Sequence, residues 1–94
     1  MKKDDVFSTT YKIAWQRNII DDYVYILDYD TNDFVIYEDV AKDIWMKIQE
    51  KCNLFEIIEF IVKNYEGASY DLVENDVSEF IEKNLRMGYL KYGE

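Results

Sequence analysis

The first half of the chain has short apolar runs that predict strands. Residues 11–17 alternate loosely between apolar and polar side chains. Residues 23–27 and 34–37 consist of β-branched, aromatic and aliphatic residues, and both runs are too short for helices. Residues 28–33, which lie between these two runs, are rich in Asp, Asn and Thr and favour a tight turn. We therefore predict three strands, of which the last two form a hairpin.

The second half of the chain has apolar residues at helical spacing. They recur every three or four positions within residues 40–48, 54–65 and 73–85. Asn53 and Glu56 have the spacing of a capping box at the start of the second of these segments. Strands followed by helices predict an α+β fold, in which three helices pack against a three-stranded antiparallel sheet.

The two ends of the chain give weaker signals. Residues 1–10 are mostly polar, and we expect them to be a flexible N-terminus. Residues 89–92 predict either a short terminal strand or a tail. Because the chain has no Pro and only three Gly, it contains no linker pattern. We expect residues 11–94 to form a single domain.

Composition narrows the classes of function. Eleven Lys and Arg against twenty Asp and Glu give a net charge of −9, which disfavours a nucleic acid partner. The absence of His and the presence of one Cys exclude His-based triads, Cys–His pairs and thiolate or imidazole zinc sites. We therefore expect no enzyme activity, no metal and no cofactor. The sequence has no apolar run for a membrane span or a secretory signal, and its lone Cys suits a reducing compartment, so we expect a cytoplasmic protein.

The third predicted strand, residues 34–37, has an unguarded edge. In a meander of three strands it lies at the edge of the sheet, and it contains no Pro, Lys or inward charge. Such an edge promotes aggregation unless something covers it. Three candidates stay open: an added peptide strand, the terminal segment 89–92, or a second copy of the protein in a homodimer.

A series of residues at fixed separations runs through most of the chain. Its members are Val24-Tyr25-Ile26-Leu27-Asp28, Thr31, Phe34, Ala41, Ile44-Trp45, Ile57-Ile58, Tyr65, Asp76-Val77, Phe80-Ile81 and Gly88-Tyr89-Leu90. This series covers roughly residues 20–92 and resembles the PqqD-like proteins, also called RiPP recognition elements (RiPPs are ribosomally made, modified peptides). The order and spacing carry the resemblance, since no single member is specific. The sequence departs from the family at Asn32-Asp33, where a Gly is common in the hairpin turn.

The resemblance implies a compact domain, similar to a winged helix-turn-helix, that performs no chemistry itself. It implies binding of the leader segment of a precursor peptide as an extra strand beside the third strand, in the groove next to the third helix. A separate modifying enzyme in trans, such as a radical SAM enzyme or a lasso-type leader peptidase, would then act on the precursor. The leader-binding residues that the resemblance implies are Asp33, Phe34, Val35, Ile36, Tyr37, Val73, Asp76, Val77, Phe80, Ile81 and Asn84. We place the receiving pocket at Phe34, Val77, Phe80 and Ile81.

Two other functions stay open. The helix pair within residues 39–65 could belong to a winged-helix transcription regulator that binds nucleic acid, although its exposed side chains and those of the third helix are largely acidic. A generic protein-interaction module without a role in peptide maturation also fits. The acidic residues around the predicted groove favour a leader with Lys or Arg, or serve only solubility.

Overall fold

The computed structural model describes residues 1–93. Its elements are β1 (Phe7–Thr9), β2 (Ile13–Asn18), β3 (Tyr23–Asp28), β4 (Phe34–Tyr37), α1 (Asp39–Gln49), α2 (Leu54–Asn64), α3 (Tyr70–Arg86) and β5 (Leu90–Tyr92). The strands β2, β3 and β4 form an antiparallel sheet in that order, while β1 and β5 pair with each other in a second sheet. The predicted α+β fold, with a three-stranded antiparallel sheet and three helices, is confirmed for the described residues. The likeness to a winged helix-turn-helix stays a prediction.

Local sequence explains where the helices begin and end. At the start of α2, the Asn53 side chain accepts from the amide of Glu56, and the Glu56 carboxylate accepts from the amide of Asn53, both at 2.8 Å. This confirms the predicted capping box. The hydroxyl of Ser69 accepts from the amide of Leu72 at the start of α3. After α3, Gly88 has a φ of +76°, the left-handed conformation that commonly ends a helix.

Residues 7–9 lie within the N-terminal segment that we expected to be flexible, and in the structure they belong to a strand. These residues form β1 and pair with β5, and Phe7 is fully buried. The carbonyls of Lys3 and Asp5 accept hydrogen bonds from the first amides of α2, which have no partner inside the helix. The average polarity of the segment is misleading here, because burying one Phe contributes about 1.5–3 kcal/mol.

One core lies between the three-stranded sheet and the helices. Trp45 of α1 is fully buried at its centre. Its ring contacts Trp15 of β2 edge-on at 6.2 Å and lies 5.8 Å from the ring of Tyr37 of β4. The sheet therefore packs on α1 through aromatic side chains from both of its outer strands. None of the helices in residues 1–93 is long and apolar enough to cross a membrane.

Candidate functional site

The strand β4 lies at one edge of the three-stranded sheet, and its outer side is free. Within residues 1–93, β4 pairs only with β3. The terminal strand β5 pairs with β1 and therefore does not cover this edge. Of the candidates that the sequence left open, an added peptide strand and a second copy of the protein remain.

The backbone of β4 presents hydrogen-bonding groups to this free side. The amide of Asp28 donates to the carbonyl of Asp33 at 3.0 Å, which marks a bonded pair just before β4. Bonded and non-bonded pairs alternate in an antiparallel ladder, so every second residue from Asp33 to Tyr37 bonds to β3. The residues between them, Phe34 and Ile36, each point one N–H and one C=O away from the sheet. An added strand would find its partners there.

The inward side chains of β4 join it to α3. The hydroxyl of Tyr37 donates to Oδ1 of Asn84 at 2.7 Å, and both residues are buried. The side-chain Nδ2 of Asn84 donates to the backbone carbonyl of Phe80, and the Tyr37 ring lies 4.8 Å from the Phe80 ring. Burial raises the pKa of Tyr37 although the bond to Asn84 lowers it, so the hydroxyl stays a donor at neutral pH. These contacts fix the end of β4 against α3.

The outward side chains of β4 lie on the opposite face of the sheet. Phe34 is 67% exposed and Ile36 is 55% exposed. The ring of Phe34 lies 6.2 Å from that of Tyr25 on β3. The structure therefore does not bring Phe34 together with the α3 residues that the sequence analysis placed in the same pocket. Successive side chains of a strand point to opposite faces, and Tyr37 occupies the face toward α3.

The α3 residues predicted for the site differ in their exposure. Four of them are buried in the core: Val73, Val77, Ile81 and Asn84. Phe80 is partly buried beside Tyr37, while Asp76 is exposed to solvent. Of the predicted α3 residues, Phe80 and Asp76 are therefore the most accessible, and the buried ones support them from below. Asp33 is exposed in the turn before β4.

An apolar cavity of about 250 Å³ lies between α1, the end of α2 and the first half of α3. Val40 of α1 lies on one side of it, Tyr65 follows the end of α2, and Leu72, Val73 and Val77 of α3 line the other side. Leu72 is 68% exposed at this site. The cavity has room for an apolar side chain of a ligand, and Val40 in its lining comes three residues after Tyr37, the last residue of β4. Sequence reasoning missed its contribution from the α2–α3 connection, because three separate segments form it.

A chain of polar contacts fixes one wall of this cavity. The hydroxyl of Tyr65 donates to Asp43 at 2.5 Å, and Asp43 also pairs with Lys42 at 3.2 Å. Lys42 in turn donates to Asp22 in the turn between β2 and β3. Burial and the Asp43 carboxylate raise the pKa of Tyr65 to about 12, so this side chain remains a protonated donor at neutral pH. The wall is therefore held by the sheet as well as by α1.

Carboxylates surround the free edge. Asp33 lies before β4, Glu38 and Asp39 follow it, and all three are exposed. Asp76 lies at the cavity and is also exposed. The site therefore combines unpaired backbone groups, an apolar cavity and negative charge. The described residues contain no cluster of three or more His, Cys, Asp or Glu that could hold a metal ion.

This arrangement defines a small α+β domain that has an open edge strand beside a helix. The sequence profile of the family "Coenzyme PQQ synthesis protein D (PqqD)" matches residues 23–90, which run from the start of β3 into β5. The chain belongs to the PqqD family. No curated protein matches the sequence.

Two solved structures are similar to this chain. One is described as "TbiB1 in Complex with the TbiA(beta) Leader Peptide"; the TM-score is 0.79 at 21% identity, over 89% of this chain and 94% of that one. The other is described as "Lasso peptide synthetase B1 complexed with the leader peptide"; the TM-score is 0.79 at 15% identity, over 90% of this chain and 96% of that one. At these identities the similarity shows a shared fold.

Proposed function

We propose that this protein binds the leader segment of a ribosomally synthesised precursor peptide as an added strand beside β4. The observation that carries the proposal is the free edge, where the N–H and C=O groups of Phe34 and Ile36 face solvent next to α3. Membership of the PqqD family supports a peptide occupant. So do the two similar structures, because each is a complex with a leader peptide.

In this proposal the protein is an adaptor without chemistry of its own. It presents the bound precursor to a separate modifying enzyme in trans, either a radical SAM enzyme or a lasso-type leader peptidase. The exposed residues of α3 include Asp76, Glu79 and Glu82, and this acidic surface gives no support to the alternative of nucleic acid binding.

Backbone pairing alone does not explain stable binding of a leader. Ordering about six peptide residues costs roughly 6–12 kcal/mol. Four ladder hydrogen bonds at about 0.5–1.5 kcal/mol each return roughly 2–6 kcal/mol. The leader therefore needs apolar anchors, each of which contributes about 1.5–3 kcal/mol when buried. The cavity between Val40 and Leu72 and the exposed part of Phe80 are the places that we propose for such anchors.

Charge argues against a second copy of the protein at this edge. Asp33 precedes β4 and Glu38 follows it, so antiparallel pairing of two β4 strands would place these carboxylates of the two copies near each other. Like charges at the ends of such a strand pair repel each other. A leader with Lys or Arg at its ends would instead meet opposite charge. We therefore propose a leader whose apolar anchors are flanked by basic residues.

An amide-resolved NMR titration tests the proposal. The probe is the synthetic leader of a precursor peptide encoded beside this protein, added to the isotope-labelled full chain. We expect shifts at β4, at the cavity and along α3, with saturation at micromolar peptide or below. The amides of Phe34 and Ile36 should gain protection from hydrogen exchange, because they change their partner from water to the leader. The outward amides of β2 are the internal control and should not change.

Three results would contradict the proposal. Absence of shifts on a folded, monodisperse sample excludes that leader as the ligand. Protection at β2 instead of β4 means that the strand adds to the wrong edge for this proposal. If Phe34 and Ile36 are already protected without peptide and the protein sediments as a dimer, a second copy occupies the edge.

A further inference from the structure

The two outward side chains of β4 lie outside the groove, yet they are large and exposed. Phe34 and Ile36 are apolar and more than half exposed on an edge strand. We propose that the leader is recognised on both faces of the added strand. Alternate leader side chains pack against Phe34 and Ile36 on the outer face, and the side chains between them enter the groove. This inference rests on the proposed strand addition and adds a requirement on the ligand, which is an outward pair of apolar residues two positions apart.

The backbone geometry fixes which leader residues form this pair. Because Phe34 and Ile36 direct their N–H and C=O groups outward, a leader residue opposite each of them in an antiparallel ladder forms a hydrogen-bonded pair with it. Side chains of residues directly opposite each other lie on the same face, with Cβ atoms about 4.5–5.5 Å apart. The two leader residues are therefore two positions apart, and both face outward. The residue between them lies opposite Val35 and faces the groove.

The outer face already provides an apolar surface for these side chains. On β3, Leu27 and Tyr25 lie opposite Phe34 and Ile36. The Tyr25, Leu27 and Phe34 side chains, together with residues of β2, line a cavity of about 310 Å³ on this face. Outward apolar residues of the leader would extend this surface by one strand instead of pointing into water. Burial on both faces would then stabilise the added strand.

The occupant of this surface is the leader and not a second copy of the protein. The outer side chains belong to the same edge strand whose ends carry Asp33 and Glu38, and repulsion between these carboxylates and those of another β4 opposes that pairing. The surface is continuous with the free backbone groups of β4, so a strand that uses those groups necessarily places alternate side chains here.

The test uses a displayed library of random peptides as the probe. It is panned on the wild-type protein, on the double variant Phe34→Ser/Ile36→Ser, and on Ile20→Ser as a matched control. Ile20 is 94% exposed in the turn between β2 and β3, so its replacement removes an exposed apolar side chain that belongs neither to β4 nor to α3. We expect the wild type and the control to select peptides with two kinds of apolar position: an outward pair of residues i and i+2, and the residues that face the groove. The double variant should no longer select the outward pair but should still select the groove-facing residues.

Affinity measurements with the enriched consensus peptide quantify the contribution of the outer face to binding. Cross-strand pairs predict about a two- to fivefold weaker Kd for each Ser variant and up to about thirtyfold for the double variant. Replacing the two outward peptide residues by Ser should weaken binding to the wild-type protein to the same extent. This second measurement does not depend on how any protein variant folds.

The possible failures can be told apart. If all three proteins enrich the same peptides but Ile36→Pro enriches none, strand addition stands and recognition on the outer face is wrong. If the wild type enriches no peptide, or Ile36→Pro enriches the same ones, the proposed strand addition is wrong and this inference falls with it. If the double variant changes only the sedimentation of a dimer, the outer face serves a second copy and the inference is also wrong.

Discussion

The strands β2 and β4 are the two outer strands of one sheet, yet their edges differ. In residues 1–93 each pairs only with β3. β2 ends in polar residues, and its Arg17 pairs with Asp22 at 2.9 Å. β4 contains no charged residue, exposes Phe34 and Ile36, and lies against α3 through Tyr37. Proteins commonly protect sheet edges with charged or polar side chains. The comparison therefore favours β4 over β2 as the edge for the proposed strand addition.

The largest expected effect separates the two edges directly. A Pro at position 36 removes an outward N–H and places its ring where an added strand would approach, without breaking a bond to β3. We expect Ile36→Pro to lose most of the four ladder bonds, worth roughly 2–6 kcal/mol together, so leader affinity falls about thirtyfold or more. Isothermal titration calorimetry with the synthetic leader measures this change.

Arg17→Pro is the matched control on the other edge. The amide of Tyr29 donates to the carbonyl of Lys12, so these two residues form a hydrogen-bonded pair. Bonded and non-bonded pairs alternate along β2 and β3, which makes Arg17 and Val24 a non-bonded pair. The N–H of Arg17 therefore points away from β3. Its Pro variant should bind the leader like the wild type, provided that thermal melts show both variants folded. Equal losses in the two variants, or wild-type affinity in Ile36→Pro, would contradict strand addition at β4.

The next effect concerns stability, and it compares two tyrosine hydrogen bonds. Tyr37→Phe leaves the buried Oδ1 of Asn84 without its donor, so we expect a loss of about 1–3 kcal/mol in the free energy of unfolding. Tyr25→Phe removes an exposed bond to Gln16 that water can replace, so we expect a change within about 0.5 kcal/mol. Urea unfolding measures both. A similar cost for the two variants would mean that the contact of Tyr37 with α3 does not anchor β4.

Elements with a strong local signal were predictable from the sequence. The strand at 34–37 has the predicted bounds, and the capping box at Asn53 forms as expected. The pairing of β1 with β5 was not predictable, because it joins residues at opposite ends of the chain and Phe7 lies in a mostly polar segment. Long-range pairing of two three-residue strands leaves no periodic pattern to detect.

The candidate site was predictable only in part. The edge position of β4 followed from the order of the strands, and the structure confirms it. Alternation along β4 was also evident, but the sequence does not tell which set of side chains faces the helices. The contact between Tyr37 and Asn84 decides this, and it turns Phe34 to the outer face. The cavity near Val40 depends on how three helices meet, which no local pattern encodes.

Acid should affect the two turns of the sheet unequally. Burial alone would raise the pKa of Asp28. This pKa is nevertheless below its ordinary value, because the carboxylate accepts hydrogen bonds from the backbone amides of Asp30 and Thr31 and from the hydroxyl of Tyr89. The nearby charge of Lys12 lowers the pKa further. Lys42 and then Arg17 lower the pKa of Asp22 in the other turn. In each case the ionised carboxylate stabilises the fold above the unfolded pKa of about 3.9. That contribution is lost as the pH falls through the lower folded pKa.

Asp28 is buried whereas Asp22 is exposed, so the turn before β4 should be the more acid-sensitive of the two. We expect Asp28→Asn to flatten the fall of Tm between about pH 6 and about pH 2 more than Asp22→Asn does. Thermal melts across this range measure the effect. If Asp22→Asn reduces the acid-induced fall of Tm more than Asp28→Asn does, the exposed turn contributes more to the acid transition.

The smallest expected effect is the salt dependence of leader binding. The ends of β4 carry Asp33 and Glu38, and a basic leader would form exposed ion pairs with them. Such pairs contribute about 0.2–1 kcal/mol each and are screened by salt. Raising the salt from about 50 to about 500 mM should therefore weaken binding about two- to fivefold, and Asp33→Asn/Glu38→Gln should remove most of this dependence.

The Asp21→Asn variant, which removes a carboxylate beside β2, is the control and should keep the wild-type salt dependence. Salt-independent binding by the wild type would leave the apolar groove and the backbone ladder as the determinants of the β4 edge, and the carboxylates would then serve solubility alone.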